Sequence, residues 1–138
     1  MTYFLDTNIC IYYLNNSAVN LSNALEKMPF DSIKIPSMVA AELLFAAGKS
    51  IKREQNLKIF KTFLSLYEIV PFDAKAADYY SAARIQLERK GQLIGSNDLV
   101  IAATAMANGG SLVTHNVDRF SRISGLTVQD WTLEGTVT

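Results

Sequence analysis

Short apolar runs alternate along the chain with longer stretches in which apolar residues recur every third or fourth position. That alternation predicts an α/β domain, three layers deep, around a mainly parallel sheet. The first run, residues 2–5, stops at Asp6 and predicts a buried strand; a helix then opens at Asp6 to Asn8 and runs to about Leu14. Helical spacing returns over residues 21–28, and a short strand over 32–35 ends at Pro36. Ser37 is placed to cap a helix whose apolar face is Val39, Leu43, Leu44 and Ala47. Leu57, Phe60, Phe63 and Leu64 mark a helix within residues 50–67, and Ile69 and Val70 form the next strand before Pro71. Asp73 caps a long helix with Ala76, Ala77, Tyr80, Ala83 and Leu87 as its stripe and Gly91 as its stop. Ser96 and Asn97 cap a helix that continues through residues 99–107, followed by a strand over 111–114 and an edge strand carrying Leu126, Val128 and Trp131. From residue 133 onward the periodic signal stops, which predicts a loose tail.

At 138 residues the chain is the size of one domain, and 49% hydrophobic with 19% charged residues excludes intrinsic disorder. Cys10 and His115 are each the only residue of their type, which excludes an internal disulfide and a zinc cluster of Cys and His. No apolar run approaches the roughly 20 residues that span a bilayer, and no signal peptide is visible. A cytoplasmic protein with no membrane contact is expected. Thirteen basic residues balance thirteen acidic ones, so the chain as a whole exerts no net pull on nucleic acid. The exception is local: Lys49, Lys52, Arg53, Lys58 and Lys61 stand against the single acid Glu54, a segment able to touch an RNA backbone.

Most acids sit on polar helix faces, but Asp6, Glu42 and Asp98 lie among apolar neighbours. Asp6 follows Tyr3-Phe4-Leu5, Glu42 stands between Val39-Ala40-Ala41 and Leu43-Leu44-Phe45, and Asp98 precedes Leu99-Val100-Ile101-Ala102-Ala103. A carboxylate so placed caps a helix, pairs with a cation, or shares one with other carboxylates. Capping accounts for Asp6 and Asp98 as well as function does, whereas Glu42 sits too deep in its helix to cap. Ligands of open α/β sheets bind beyond the carboxyl ends of the strands, where Asp6 and Asn116 are expected and where the first turns holding Glu42 and Asp98 can face. Oxygen ligands without His or Cys select Mg²⁺ or Mn²⁺. Such a site suits phosphodiester hydrolysis.

Four segments in order carry a resemblance: residues 3–8 (YFLDTN), 39–43 (VAAEL), 94–103 (IGSNDLVIAA) and 112–120 (LVTHNVDRF), with a closing GLTVQDW over 125–131. Together they resemble VapC toxins of the PIN-domain superfamily, along residues 1–131. The resemblance implies a PIN-like fold and a Mg²⁺-dependent endoribonuclease, the toxin of a toxin–antitoxin pair, with a VapB-type antitoxin as partner. It makes Asp6, Glu42 and Asp98 the metal-binding acids. Asn116 falls where relatives carry Asn or Asp and is suited to a water of the ion or a phosphate oxygen; Asp118 is the alternative fourth acid. Thr7 and Asn8 are expected to orient Asp6, with Thr114 lining the same edge, although ordinary turn bonding accounts equally well for Thr7 and Thr114. His115 is not expected to act as a base, since adjacent strand-end residues point to opposite sides. Arg119 and Arg122 are further phosphate contacts. The apolar and aromatic residues Ile11, Tyr12, Tyr13, Phe45, Phe60 and Phe63 lie where the family dimerises and receives its antitoxin, so a homodimer and a hetero-oligomer are expected. The Thr-His-Asn form of the fourth segment points to tRNA, with initiator tRNA as a candidate. An aspartate phosphotransfer domain is disfavoured by the Asn at position 8 and the place of Asp6, and a catalytically silent PIN-like binding module by the presence of all three acids.

Overall fold

A computed structural model of the chain describes residues 1–133. Its strands are β1 (Tyr3–Leu5), β2 (Ile33–Pro36), β3 (Glu68–Val70), β4 (Ser111–Val113) and β5 (Val128–Gln129). They form one sheet in the order β3-β2-β1-β4-β5 in which every pair is parallel, so the mainly parallel sheet read from the sequence is parallel throughout. Among the described residues, its helices are α1 (Thr7–Leu14), α2 (Val19–Lys27), α3 (Ser37–Gly48), α4 (Arg53–Ser65), α5 (Ala74–Arg89), α6 (Ser96–Ala107) and α7 (Val117–Phe120), with a short 3₁₀ turn at Phe30–Ser32. The tail expected to be loose lies, apart from Leu133, outside the described residues.

Phe4 and Leu5 point to opposite faces of β1, and both are fully buried, so helices cover both faces of the sheet. Ile33 and Ile35 on β2 and Leu112 and Val113 on β4 continue this core, and Leu43, Leu87, Leu99 and Ile101 reach it from the helices. Trp131 closes it beyond β5: its ring is fully buried, meets Tyr3 edge-on at 5.0 Å, and its indole N–H donates to Gln129 Oε1 at 2.8 Å.

The chain order carries the functional consequence. From β1 the chain builds outward through β2 and β3, then returns to lay β4 on the other side of β1. The crevice at the carboxyl ends of β1 and β4 is the switch point of the sheet, the place where open α/β folds bind ligands. Asp6 stands at the end of β1 and Thr114 to Asn116 at the end of β4.

Candidate functional site

Asp6 has a structural duty first. Its backbone is extended, its Oδ1 accepts from Ile9 N at 2.9 Å, and it thereby caps α1. Its other oxygen, Oδ2, accepts from Thr114 Oγ1 at 2.5 Å, across the β1–β4 seam. The Thr114 hydroxyl oxygen in turn accepts from Asn116 N at 3.0 Å, fixing the turn that leaves β4. Asp6 is only 4% exposed. Burial is the main force pushing its carboxyl up from the usual 3.8 to about 6; the Thr114 and Ile9 bonds oppose this, and the charges of Asp98 and Glu42 add to it.

Glu42 is half-buried in α3, bracketed by Thr7 Oγ1, which donates to its Oε1 at 2.5 Å, and Asn97 Nδ2, which donates to its Oε2 at 3.3 Å. Asp98, in the first turn of α6, accepts from Arg119 Nη1 on α7 at 2.7 Å. The switch point thus gathers side chains from β1, α3, α6 and α7 into one acidic neighbourhood with Arg119 as its counter-charge.

Several sequence expectations change here. Thr7 braces Glu42 instead of Asp6, and Asn8 lies exposed on α1, while Thr114 and the Ile9 N–H do the orienting of Asp6. Asn97, read as a helix cap, is a second brace for Glu42; Gly95 takes the cap position of α6, and Pro36 that of α3 in place of Ser37. Asn116 and Asp118 line a cavity of about 480 Å³ with His115, Arg119 and Arg122. The Arg119–Asp98 pair had no sequence signal beyond the presence of an arginine in the fourth segment. His115 is turned to Asp130 and Thr132, each 3.1 Å from its Nδ1. Cys10 is in the core, where burial pushes its thiol well above the usual range and leaves it unreactive.

The donors are hard oxygens. Among the described residues no three acidic, His or Cys side chains close on a single point as a full ligand set. The arrangement fits a hard cation held by one or two carboxylates with water completing its shell, the mode Mg²⁺ favours. Among the described residues no helix is long and apolar enough to cross a membrane.

A family model described as "PIN domain" matches residues 3–126. Ribonuclease VapC2 of Rickettsia felis is 45% identical over 132 residues, covering 95% of this chain and 98% of that protein. The tRNA(fMet)-specific endonuclease VapC of Salmonella typhimurium is 33% identical over 131 residues, covering 95% of this chain and 98% of that protein. The crystal structure of VapBC2 from Rickettsia felis bound to a DNA fragment from their promoter superposes with a TM-score of 0.89 at 44% identity, covering 95% of this chain and 99% of that one.

Proposed function

The chain belongs to the PIN-domain family of VapC ribonucleases, and from that premise we propose that it is the toxin of a VapBC pair, a Mg²⁺-dependent endoribonuclease acting in the cytoplasm on tRNA, initiator tRNA included. The observation that carries this reading is the convergence of Asp6, Glu42 and Asp98 at the β1–β4 switch point, close enough that two of them raise the pKa of the third. The tRNA(fMet) specificity in the name of a relative supports the substrate.

Of Asp6, Glu42 and Asp98, one or two would hold the cation, Mg²⁺ or in its place Mn²⁺, directly, and the rest would reach it through its water shell. Such an ion, when bound, lowers the pKa of water, orients a phosphate and offsets charge on the attacking and leaving oxygens. Thr114, with the α1 N-terminus, keeps Asp6 aimed at the crevice, and Thr7 and Asn97 keep Glu42 there. Bonds of this kind fix ligand orientation as much as the ligands themselves do. Asn116 contacts a phosphate oxygen or a water; Asp118, further out on α7, supplements the negative charge. Arg119 and Arg122 line the adjoining cavity and draw the RNA backbone in, and the basic residues at the start of α4 are a separate patch for it.

A VapB-type antitoxin regulates the enzyme by covering this crevice, and the toxin pairs with itself and with the antitoxin in a hetero-oligomer. The test is incubation of the purified, antitoxin-free protein with total bacterial RNA in Mg²⁺ and in chelator. Discrete fragments in Mg²⁺ alone are expected. A folded, cation-binding protein that leaves every RNA intact would contradict the reading and favour a silent binding module.

A further inference from the structure

Beside the acidic neighbourhood lies a cavity of about 400 Å³ to which the hydrolytic chemistry assigns no role. It is lined by Tyr12 on α1, Ser17, Val19 and Asn20 at the start of α2, His115 after β4 and Thr132 after β5. Its volume falls within the roughly 300–1,000 Å³ of small-ligand sites. The Tyr12 and His115 rings meet edge to face, centroids 6.2 Å apart at 77°, making a corner with two aromatic walls. The His115 side chain is 53% exposed.

The histidine wall is held in place. Burial of Asp130 opposes its ionisation, but the Thr132 hydroxyl and N–H, together with His115, outweigh this and hold its carboxyl below the usual range. A charged carboxylate only accepts, so His115 donates from Nδ1 toward Asp130 and its Nε2 edge is left for other partners. Asn20 Nδ2 donates to Thr132 O at 3.3 Å and ties α2 to the same segment.

His115 also lines the second cavity, the one with Asn116, Arg119 and Arg122. On one side of the ring, then, stand aromatic and aliphatic surfaces with amide and hydroxyl groups at the edge, and on the other stand two arginines beside the acidic cluster. Single-stranded RNA presents the complementary pair, flat bases joined by anionic phosphates, and proteins read it by stacking bases on aromatic rings while cations track the backbone.

We propose that the cavity between Tyr12 and His115 is a nucleobase subsite, which receives one unpaired base of the RNA substrate next to the phosphate at the acidic cluster. This rests on the ribonuclease reading and specifies how that enzyme selects its cleavage position. Tyr12 supplies the stacking surface, His115 the positioned wall, and Ser17 and Asn20 the polar edge.

The experiment is a coupling cycle on oligoribonucleotides that carry the mapped cleavage site, each with one abasic position on either side of the cut, assayed with wild type, Tyr12→Ala and Tyr12→Phe. Loss of one particular base is expected to raise KM about tenfold, in line with the energy of one base–aromatic stack. Tyr12→Ala should do the same on intact RNA, the two losses together should exceed neither alone, and Tyr12→Phe should restore KM. Should Tyr12→Ala fail to fold, Val19→Glu, at a position 71% exposed on the cavity wall, replaces it in the same cycle. Unchanged KM in the cavity variants, or losses that multiply at every abasic position, overturns the subsite while wild-type cleavage still upholds the ribonuclease reading. A wild-type protein that cleaves no RNA overturns both.

Discussion

Asp6 is an acid where the fold resists charge, and its pKa of about 6 measures that conflict. Because the folded-state value lies above the usual 3.8, the folded protein holds a proton that the unfolded chain has released between those two pH values. The resulting stabilisation is complete below about pH 4 and is lost as pH rises through about 6; a shift of this size corresponds to about 3 kcal/mol. Asn at this position can accept from Ile9 N and donate to Thr114, so Asp6→Asn should fold. In chelator, denaturant titrations at successive pH values should show Asp6→Asn becoming the more stable protein above pH 6, with the gap closing toward pH 4. A gap independent of pH would contradict the assignment of strain to Asp6. Thr114 belongs to the same scale. Thr114→Val should reduce RNA cleavage roughly 10- to 100-fold, the usual loss when a group orienting a metal ligand is removed, with Thr114→Ser restoring most of it. The acids were legible in the sequence because a carboxylate among apolar residues needs an explanation. Their braces were not: Thr7 and Asn97 read locally as turn and cap residues, and only the packing of α3 against α1 and α6 makes them partners of Glu42.

At the scale of elements, the period of the apolar residues located every strand and every helix from α1 to α6, while chain ends and caps shifted; α7, four residues long, is too short to show a period. Asp73 does cap α5 through Ala76 N at 3.0 Å, and Gly91 does end that helix at a positive φ of 65°. Ser37 fails as a cap because Pro36 completes β2 and already has the extended backbone of the cap position, which moves Ser37 into the helix. The order of the strands was beyond the local pattern, since pairing of β1 with β4 joins residues about a hundred positions apart. One residue guards that pairing. A Cβ on Gly110 would lie 2.5 Å from the buried Phe4 ring and 3.2 Å from Thr2 O, so neither side has room to yield. Gly110→Ala should cost about 1–3 kcal/mol and lower the thermal midpoint by several degrees. An unchanged midpoint would mean that β1 and β4 pack less tightly than described.

For the whole molecule, the contrast is between a core that takes in Phe63 and a surface that leaves Phe45 at 68% exposure, with Ile51, Ile59 and Leu66 also exposed on and around α3 and α4. The aromatic residues of the N-terminal half therefore divide into buried and exposed groups, a division that periodicity alone did not reveal. Phe45→Glu should leave the thermal midpoint nearly unchanged, as surface substitutions usually do, and yet weaken capture of the antitoxin on size-exclusion chromatography. Retention of the complex would place the partner elsewhere. Net charge tells a similar story: it is zero overall, and the local placement of Arg119 and Arg122 beside the acids favours RNA.

The proposed hydrolysis depends above all on Asp6, Glu42 and Asp98 serving one cation site. Calorimetric titration of Mn²⁺ into the wild type and into Asp6→Asn, Glu42→Gln and Asp98→Asn addresses this directly. Saturable binding by the wild type, weakened in each variant while all remain folded, is the predicted result. Wild-type affinity in all three variants would contradict it.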